Sequence, residues 1–305
     1  MNISKISWFC LELYLLLCSF IEGMVSALSI LEWKYIVGLV FFIVLLMPYS
    51  SNKKIRYYGV YTFYVLYVST FGLLLVPIFL LRPKNIDNLT IAGIIMKYFT
   101  KVLGITWYLE KGKDILKEQR GAVIVANHQS VLDVMGMWNI WEIMGRCTAV
   151  AKREIMYVAP FGPVAWLAGL VFIDRSNPKK AKEQLKKTAY LVKEKKTKLW
   201  LFPEGTRNQK GKELLPFKKG AFITAIECNV PVIPVVFSPY YFIDSNNKIF
   251  NRGNMYISAL DPIPTDNLTL DDVELLMNKT YNIMQTEYQR LTEKIAPLKI
   301  SIECR

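Results

Sequence analysis

Residues Tyr57 to Leu81 form a run of 25 residues without one charged side chain, and this run restricts the fold of the chain more than any other feature. A helix that crosses the hydrocarbon core of a bilayer needs about 20 apolar residues. Charge-free runs of this length are rare in soluble domains, whose helices carry a polar face. Two further apolar stretches precede it. Ile6 to Leu31 is interrupted only by Glu12 and Glu22, and Tyr35 to Ser50 has no charge across 16 residues. The second is short for a span, and the first spans only if its glutamates are sheltered. Glu12, together with Lys5 as the only early base, makes the first stretch a poor secretion signal. Residues 1–81 therefore read as a membrane-embedded region of two or three helices, and residues 82–305 as a second domain. Basic residues flank the third stretch on both sides (Lys53, Lys54 and Arg56 before it, Arg82 and Lys84 after it), so charge asymmetry leaves the orientation open.

Charge and composition narrow the class of partner. Lys+Arg totals 38 against 25 Asp+Glu, a formal charge of +13, which favours phosphorylated ligands and acidic lipid headgroups. Nine lysines between Lys179 and Lys198 read as a solvated helix face or as a patch against anionic lipid. Nucleic acid is set aside as a partner, because the chain carries membrane segments and no nucleic-acid motif. His128 is the only histidine, and the five cysteines (Cys10, Cys18, Cys147, Cys228 and Cys304) contain no CxxC pair. No metal site and no disulfide framework follows from such a set, and the cysteines read as reduced, small hydrophobes.

From about Leu103 short strands alternate with amphipathic helices, a pattern that implies α/β architecture with crossover connections. Strands are expected at Ala122–Ala126, Cys147–Ala151, Leu170–Ile173, Lys198–Phe202, Val232–Phe237 and Met255–Leu260. Helices are expected at Val131–Gly145, Phe161–Ala168, Pro178–Lys196, Phe217–Cys228 and Leu270–Lys294. Thr269 and Asp272 form a capping box for the last of these. Its apolar stripe is Val273, Leu276, Met277, Met284, Tyr288 and Leu291.

The chemistry-bearing residues cluster at strand ends, where α/β proteins bind ligands. The stretch 127–133 reads Asn-His-Gln-Ser-Val-Leu-Asp: a histidine leaves a buried strand and an aspartate opens the next helix. A carboxylate so placed can fold back on the imidazole, fix its tautomer and stabilise its cation, which makes a general base. The stretch 202–207, Phe-Pro-Glu-Gly-Thr-Arg, closes another strand with a glycine that permits close backbone approach and an arginine fork suited to phosphate. Phe172-Ile173-Asp174-Arg175 and Val230-Pro231-Val232-Ile233-Pro234 complete the set.

In this order, behind an apolar N-terminus, the four blocks resemble those of the glycerolipid acyltransferase family: NHxxxxD, F-I-x-R, F-P-E-G-T-R and V-P-[IV]-[IV]-P. All four match without departure. Within that family the length and wording are similar to the eukaryotic 1-acyl-glycerol-3-phosphate (lysophosphatidic acid) acyltransferases. The resemblance implies N-terminal membrane helices followed by an α/β acyltransferase domain with a central mixed sheet flanked by helices. It implies that acyl-CoA is the co-substrate, that no bound cofactor and no metal takes part, and that lysophosphatidate is the acceptor. His128 would take the proton of the sn-2 hydroxyl, with Asp133 orienting the ring, while Glu204, Gly205, Thr206 and Arg207 hold the glycerol phosphate with help from Arg175. The expected location is the endoplasmic reticulum membrane, with several spans. Acceptors such as glycerol-3-phosphate or another lysophospholipid fit the same blocks. A lipid-binding protein without catalysis is the competing class. A serine hydrolase using Ser130 lacks the G-x-S-x-G elbow, and Cys147 is a nucleophile only in a rival scheme.

Overall fold

The computed structural model describes residues 30–174, 184, 188–208 and 213–303. Packing divides the chain into two compact units, Met1–Phe63 and Tyr64–Arg305. The first contains α1 (Ile30–Leu46) and the opening turns of α2 (Lys53–Leu81). Asn52 starts α2 by accepting the backbone N–H groups of Lys54 and Ile55, the usual work of an N-cap amide. Among the described residues α2 alone is long and apolar enough to cross a membrane. Helix α1 is described over 17 residues. The expected stretch Ile6–Leu31 lies almost wholly outside the described residues, and among the described residues there is one candidate span.

The second unit begins at Tyr64, inside α2. The reason is packing: Leu75 and Phe79 of α2 bury themselves against Val164 and Ala168, and Leu89 and Ile95 of α3 (Asp87–Met96) join them.

That layer is a seven-stranded mixed sheet. The strands are β1 (Ile105–Lys111), β2 (Ala122–Ala126), β3 (Cys147–Lys152), β4 (Val171–Ile173), β5 (Lys198–Leu201), β6 (Val232–Phe237) and β9 (Gly253–Ala259), in the order β1-β9-β6-β2-β5-β3-β4. A small hairpin, β7 (Ile243–Asp244) with β8 (Ile249–Phe250), stands apart. The strands from β6 to β4 are parallel, and β9 runs antiparallel to β6. Ala122–Ala126 is buried at every residue, because a strand between two parallel neighbours with helices on both faces has no wet side. Its odd positions, Val123 and Val125, join Leu199, Leu201, Val232 and Val236 in a core beneath α6 (Gly220–Cys228) and α7 (Val273–Glu303). On the opposite face lies α4 (Asp133–Met144), which follows β2. Gly136 of α4 allows this approach: a Cβ there would sit 2.6 Å from the Trp107 ring and 3.0 Å from Phe237. The crossover from β3 to β4 carries α5 (Phe161–Leu167).

Most expected elements are present within a residue or two. The capping box at Thr269 and Asp272 is formed, and the stripe from Val273 to Leu291 lies in the core. Three differences have physical causes. The helix expected from Phe217 starts at Gly220, because Leu215 and Lys218 give their N–H groups to Glu204 and to the Pro203 carbonyl. Edge strand β1 went unread, since only its pairing with β9 makes it a strand. Lys198 does not belong to the solvated lysine face. It is buried in β5, with its ammonium donating to the carbonyls of Glu118 and Met144 at 2.8 Å each. Of the expected helix Pro178–Lys196, residues 178–183 and 185–187 lie outside the described residues, and residues 188–193 are helical.

Candidate active site

Because β2, β5, β6, β3 and β4 are parallel, the segments that follow them emerge on one edge of the sheet. Three of these segments, after β2, β5 and β6, are stitched together there. Asn127, directly after β2, uses its side-chain amide to hold Phe237 at the end of β6: Nδ2 donates to the Phe237 carbonyl at 3.0 Å and Oδ1 accepts the Phe237 N–H at 2.8 Å. Gln129 donates to the Ser238 carbonyl at 3.0 Å. His128 is held by the segment after β5 through both its backbone groups. Its N–H donates to Glu204 Oε1 at 2.7 Å, and its carbonyl accepts the Asn208 N–H at 2.7 Å.

The His128 ring stacks on Phe202, with centroids 4.1 Å apart and planes 17° from parallel. Its Nδ1 lies 2.7 Å from Asp133 Oδ2. Asp133 is 0% exposed and is the first residue of α4, where the helix dipole favours a negative charge. The same Oδ2 accepts the N–H groups of Gln129 and Ser130 at 2.6 and 3.0 Å, and Oδ1 accepts the Tyr240 hydroxyl at 2.9 Å. A carboxylate so supplied with donors accepts only, so it assigns the ring proton to Nδ1 and leaves the Nε2 lone pair for a substrate proton. The side chain is one-fifth exposed, enough for a substrate to reach it.

Glu204 points into the protein. It is 2% exposed, and its second oxygen accepts the Leu215 N–H at 3.1 Å. Burial pushes its carboxyl up to about 7, against the opposing pull of the His128 and Leu215 N–H groups. Both oxygens accept backbone N–H groups, so Glu204 braces the His128 loop. Gly205 turns the chain at φ +69°, and a Cβ there would meet the Lys218 side chain at 2.9 Å, so the Lys218 ammonium lies beside this turn. Thr206 and Arg207 follow, both exposed. Arg175 lies outside the described residues. Cys147 is excluded as a nucleophile: it is fully buried, and burial pushes its thiol up to about 12. The Ser130 hydroxyl accepts the Leu132 N–H at 3.2 Å, a turn-forming bond.

Sequence reasoning missed Phe202 as the platform for the ring, Asn127 as the clamp on β6 and Tyr240 as a donor to Asp133. Phe202 and Asn127 sit inside the blocks that drew attention. Tyr240 lies 107 residues from its partner, and nothing local marks it.

This edge defines an α/β domain with an imidazole–carboxylate pair beside a basic, glycine-containing turn, and comparison with known proteins gives the class. The acyltransferase family model matches residues 109–238. Human 1-acyl-sn-glycerol-3-phosphate acyltransferase alpha is 32% identical over 242 residues, covering 79% of this chain and 84% of the relative. The human beta enzyme is 32% identical over 254 residues, 82% of this chain and 90% of the relative. A putative 1-acyl-sn-glycerol-3-phosphate acyltransferase of Caenorhabditis elegans is 42% identical over 173 residues, 56% of this chain and 60% of the relative. The crystal structure of the 1-acyl-sn-glycerophosphate acyltransferase PlsC from Thermotoga maritima shares the fold, with a TM-score of 0.58 at 20% identity over 82% of this chain and 95% of that one. The chain belongs to the glycerolipid acyltransferase family, and most of its length is similar to 1-acyl-sn-glycerol-3-phosphate acyltransferases.

Proposed function

We propose that the protein transfers an acyl group from acyl-CoA to the sn-2 hydroxyl of lysophosphatidate, forming phosphatidic acid and free coenzyme A. The observation that carries this reading is the 2.7 Å contact between His128 Nδ1 and the buried Asp133 carboxylate, held in place by the segment that ends in Thr206 and Arg207. Nε2 takes the hydroxyl proton as the oxygen attacks the thioester carbonyl. The C–S bond then breaks, the coenzyme A thiolate leaves, and the imidazolium returns the proton to it. A thiol with a pKa of about 8.5 leaves readily near neutral pH. Asp133 stabilises the imidazolium while it exists. No covalent acyl-enzyme is required, in keeping with the burial of Cys147.

Arg207, with Thr206, the Gly205 backbone, Lys218 and Arg175, receives the acceptor phosphate. The guanidinium suits the task because its planar fork binds two phosphate oxygens at once. The apolar helix α2, whose Leu74 and Leu81 are 64% and 86% exposed, suits a lipid bilayer, and the location we infer is the endoplasmic reticulum membrane. Glycerol-3-phosphate or another lysophospholipid is the alternative acceptor, since the same turn would hold its phosphate.

Purified protein assayed with one acyl-CoA against lysophosphatidate, glycerol-3-phosphate and lysophospholipids of larger headgroup decides among acceptors. His128→Ala should lower turnover with the preferred acceptor by roughly 10²–10⁴-fold, the range for a lost general base, while the protein remains folded in detergent. A His128→Ala protein of normal rate would overturn the mechanism.

A further inference from the structure

Asp133 has four donors and only three belong to its own loop. His128 Nδ1, Gln129 N and Ser130 N all converge on Oδ2. The other oxygen, Oδ1, is met by a hydroxyl from the segment after the neighbouring strand β6, Tyr240 Oη at 2.9 Å. Tyr240 stands in the segment after β6, three residues beyond Phe237, which Asn127 clamps. Its ring packs edge-on against Trp107 of β1, with centroids 6.3 Å apart, and against Phe242 at 5.8 Å. Trp107 in turn lies against Gly136, one turn into the helix that Asp133 begins. The phenol is therefore fixed by the same packing that fixes α4.

We propose that Tyr240 is a positioning residue for the acyl transfer, locking the Asp133 carboxylate so that Oδ2 stays aimed at His128 Nδ1. This rests on the His128–Asp133 reading given above. A carboxylate held only through Oδ2 can rotate about its Cβ–Cγ bond. Each such rotation takes Oδ2 off the imidazole and leaves the His128 ring without a fixed tautomer. A donor on Oδ1 prevents it, and a hydrogen bond to a charged group is among the stronger ones in a protein. The bond also draws charge from the carboxylate. Without it the full negative charge would face the imidazole and hold its cation more strongly.

The titratable groups whose charges reach Asp133 are His128 in its own loop, Glu204 after β5, Tyr240 after β6, Tyr64 on α2 and Tyr288 on α7. The tyrosines are phenols that stay protonated below about pH 9. Glu204 titrates near neutrality in wild type and variant alike, so a difference between their profiles isolates the effect of Tyr240.

The test is Tyr240→Phe, which deletes one oxygen and keeps the ring that packs on Trp107 and Phe242. With lysophosphatidate and one acyl-CoA, kcat at pH 7 should fall about ten-fold, the lower end for a lost charge-assisted hydrogen bond. KM for either substrate should stay within about two-fold. The acidic limb of the kcat profile should move up by about one pH unit, with part of the rate recovered at higher pH. In an Asp133→Asn background the same substitution should cost less than about two-fold, because the group it acts through is already gone. Three results would overturn the proposal: full activity of Tyr240→Phe, a rate loss with no shift of the acidic limb, or a further ten-fold loss on Asp133→Asn. A fully active His128→Ala protein would instead remove the catalytic pair itself, a failure separable from that of Tyr240.

Discussion

Replacing Glu204 by glutamine tests the brace under the His128 loop through its effect on stability. The wild-type carboxyl is buried, with its two oxygens accepting the His128 and Leu215 N–H groups at 2.7 and 3.1 Å. Burial raises it from an ordinary 4.5 to about 7. A folded-state pKa above the unfolded value means that folding favours the protonated form. The contribution to stability is therefore full below pH 4.5 and is lost as pH rises through 7. At 1.36 kcal/mol per unit, the wild type loses about 2.5 kcal/mol between pH 5 and pH 8. Glutamine does not titrate. Its amide offers one accepting oxygen to two N–H donors, so at pH 5 the variant should sit about 1–3 kcal/mol below wild type. Between pH 5 and pH 8 it should then gain about 2.5 kcal/mol relative to wild type and draw level. At 2–4 °C per kcal/mol for a unit of this size, the gap in melting temperature should close by roughly 5–10 °C. Thermal unfolding of both proteins in one detergent, followed by intrinsic tryptophan fluorescence across that pH range, measures it. A gap that stays constant, or widens against the variant at pH 8, would refute the reasoning. It would mean that two backbone hydrogen bonds outweigh burial and that the carboxyl is ionised throughout.

Arg207→Lys should keep the charge and lose the bidentate grip. The expected loss is 10- to 100-fold in kcat/KM toward lysophosphatidate, from about 1.5–3 kcal/mol at 1.4 kcal/mol per decade. Any weak activity on an uncharged monoacylglycerol should change little. An equal loss on both acceptors would move the phosphate assignment to Lys218 or Arg175. The intact chain should resist alkaline carbonate and require detergent for release from membranes, because the apolar side chains of α2 are exposed along its length. Complete release by carbonate would show that this helix is not embedded.

Much of the protein is legible in the sequence because the signals are local. A charge-free run marks α2 without reference to anything around it. The buried strand Ala122–Ala126 and the stripe on α7 follow from periodicity, and the Thr269–Asp272 cap from a three-residue spacing. His128 and Asp133 could be paired on paper because five residues separate a strand end from a helix start, a distance one turn of backbone closes. The turn at Gly205 is similarly local.

Other features depend on which strand lies beside which, and no local pattern encodes that. Sheet order places β5 and β6 on either side of β2, and only then does Glu204 come under the His128 N–H and Tyr240 reach Asp133. A glutamate between a proline and a glycine looks like a surface residue facing a phosphate. It turns inward because two backbone donors from distant segments need an acceptor there. Lys198 looks like one more solvated lysine, yet β5 carries it inside, where the carbonyls of Glu118 and Met144 replace water. Hydropathy and spacing thus fixed which residues are apolar and which meet across one turn. The partners of a buried polar group were decided by the sheet, because such a group must find its hydrogen bonds wherever the packed chain brings a donor or acceptor within reach.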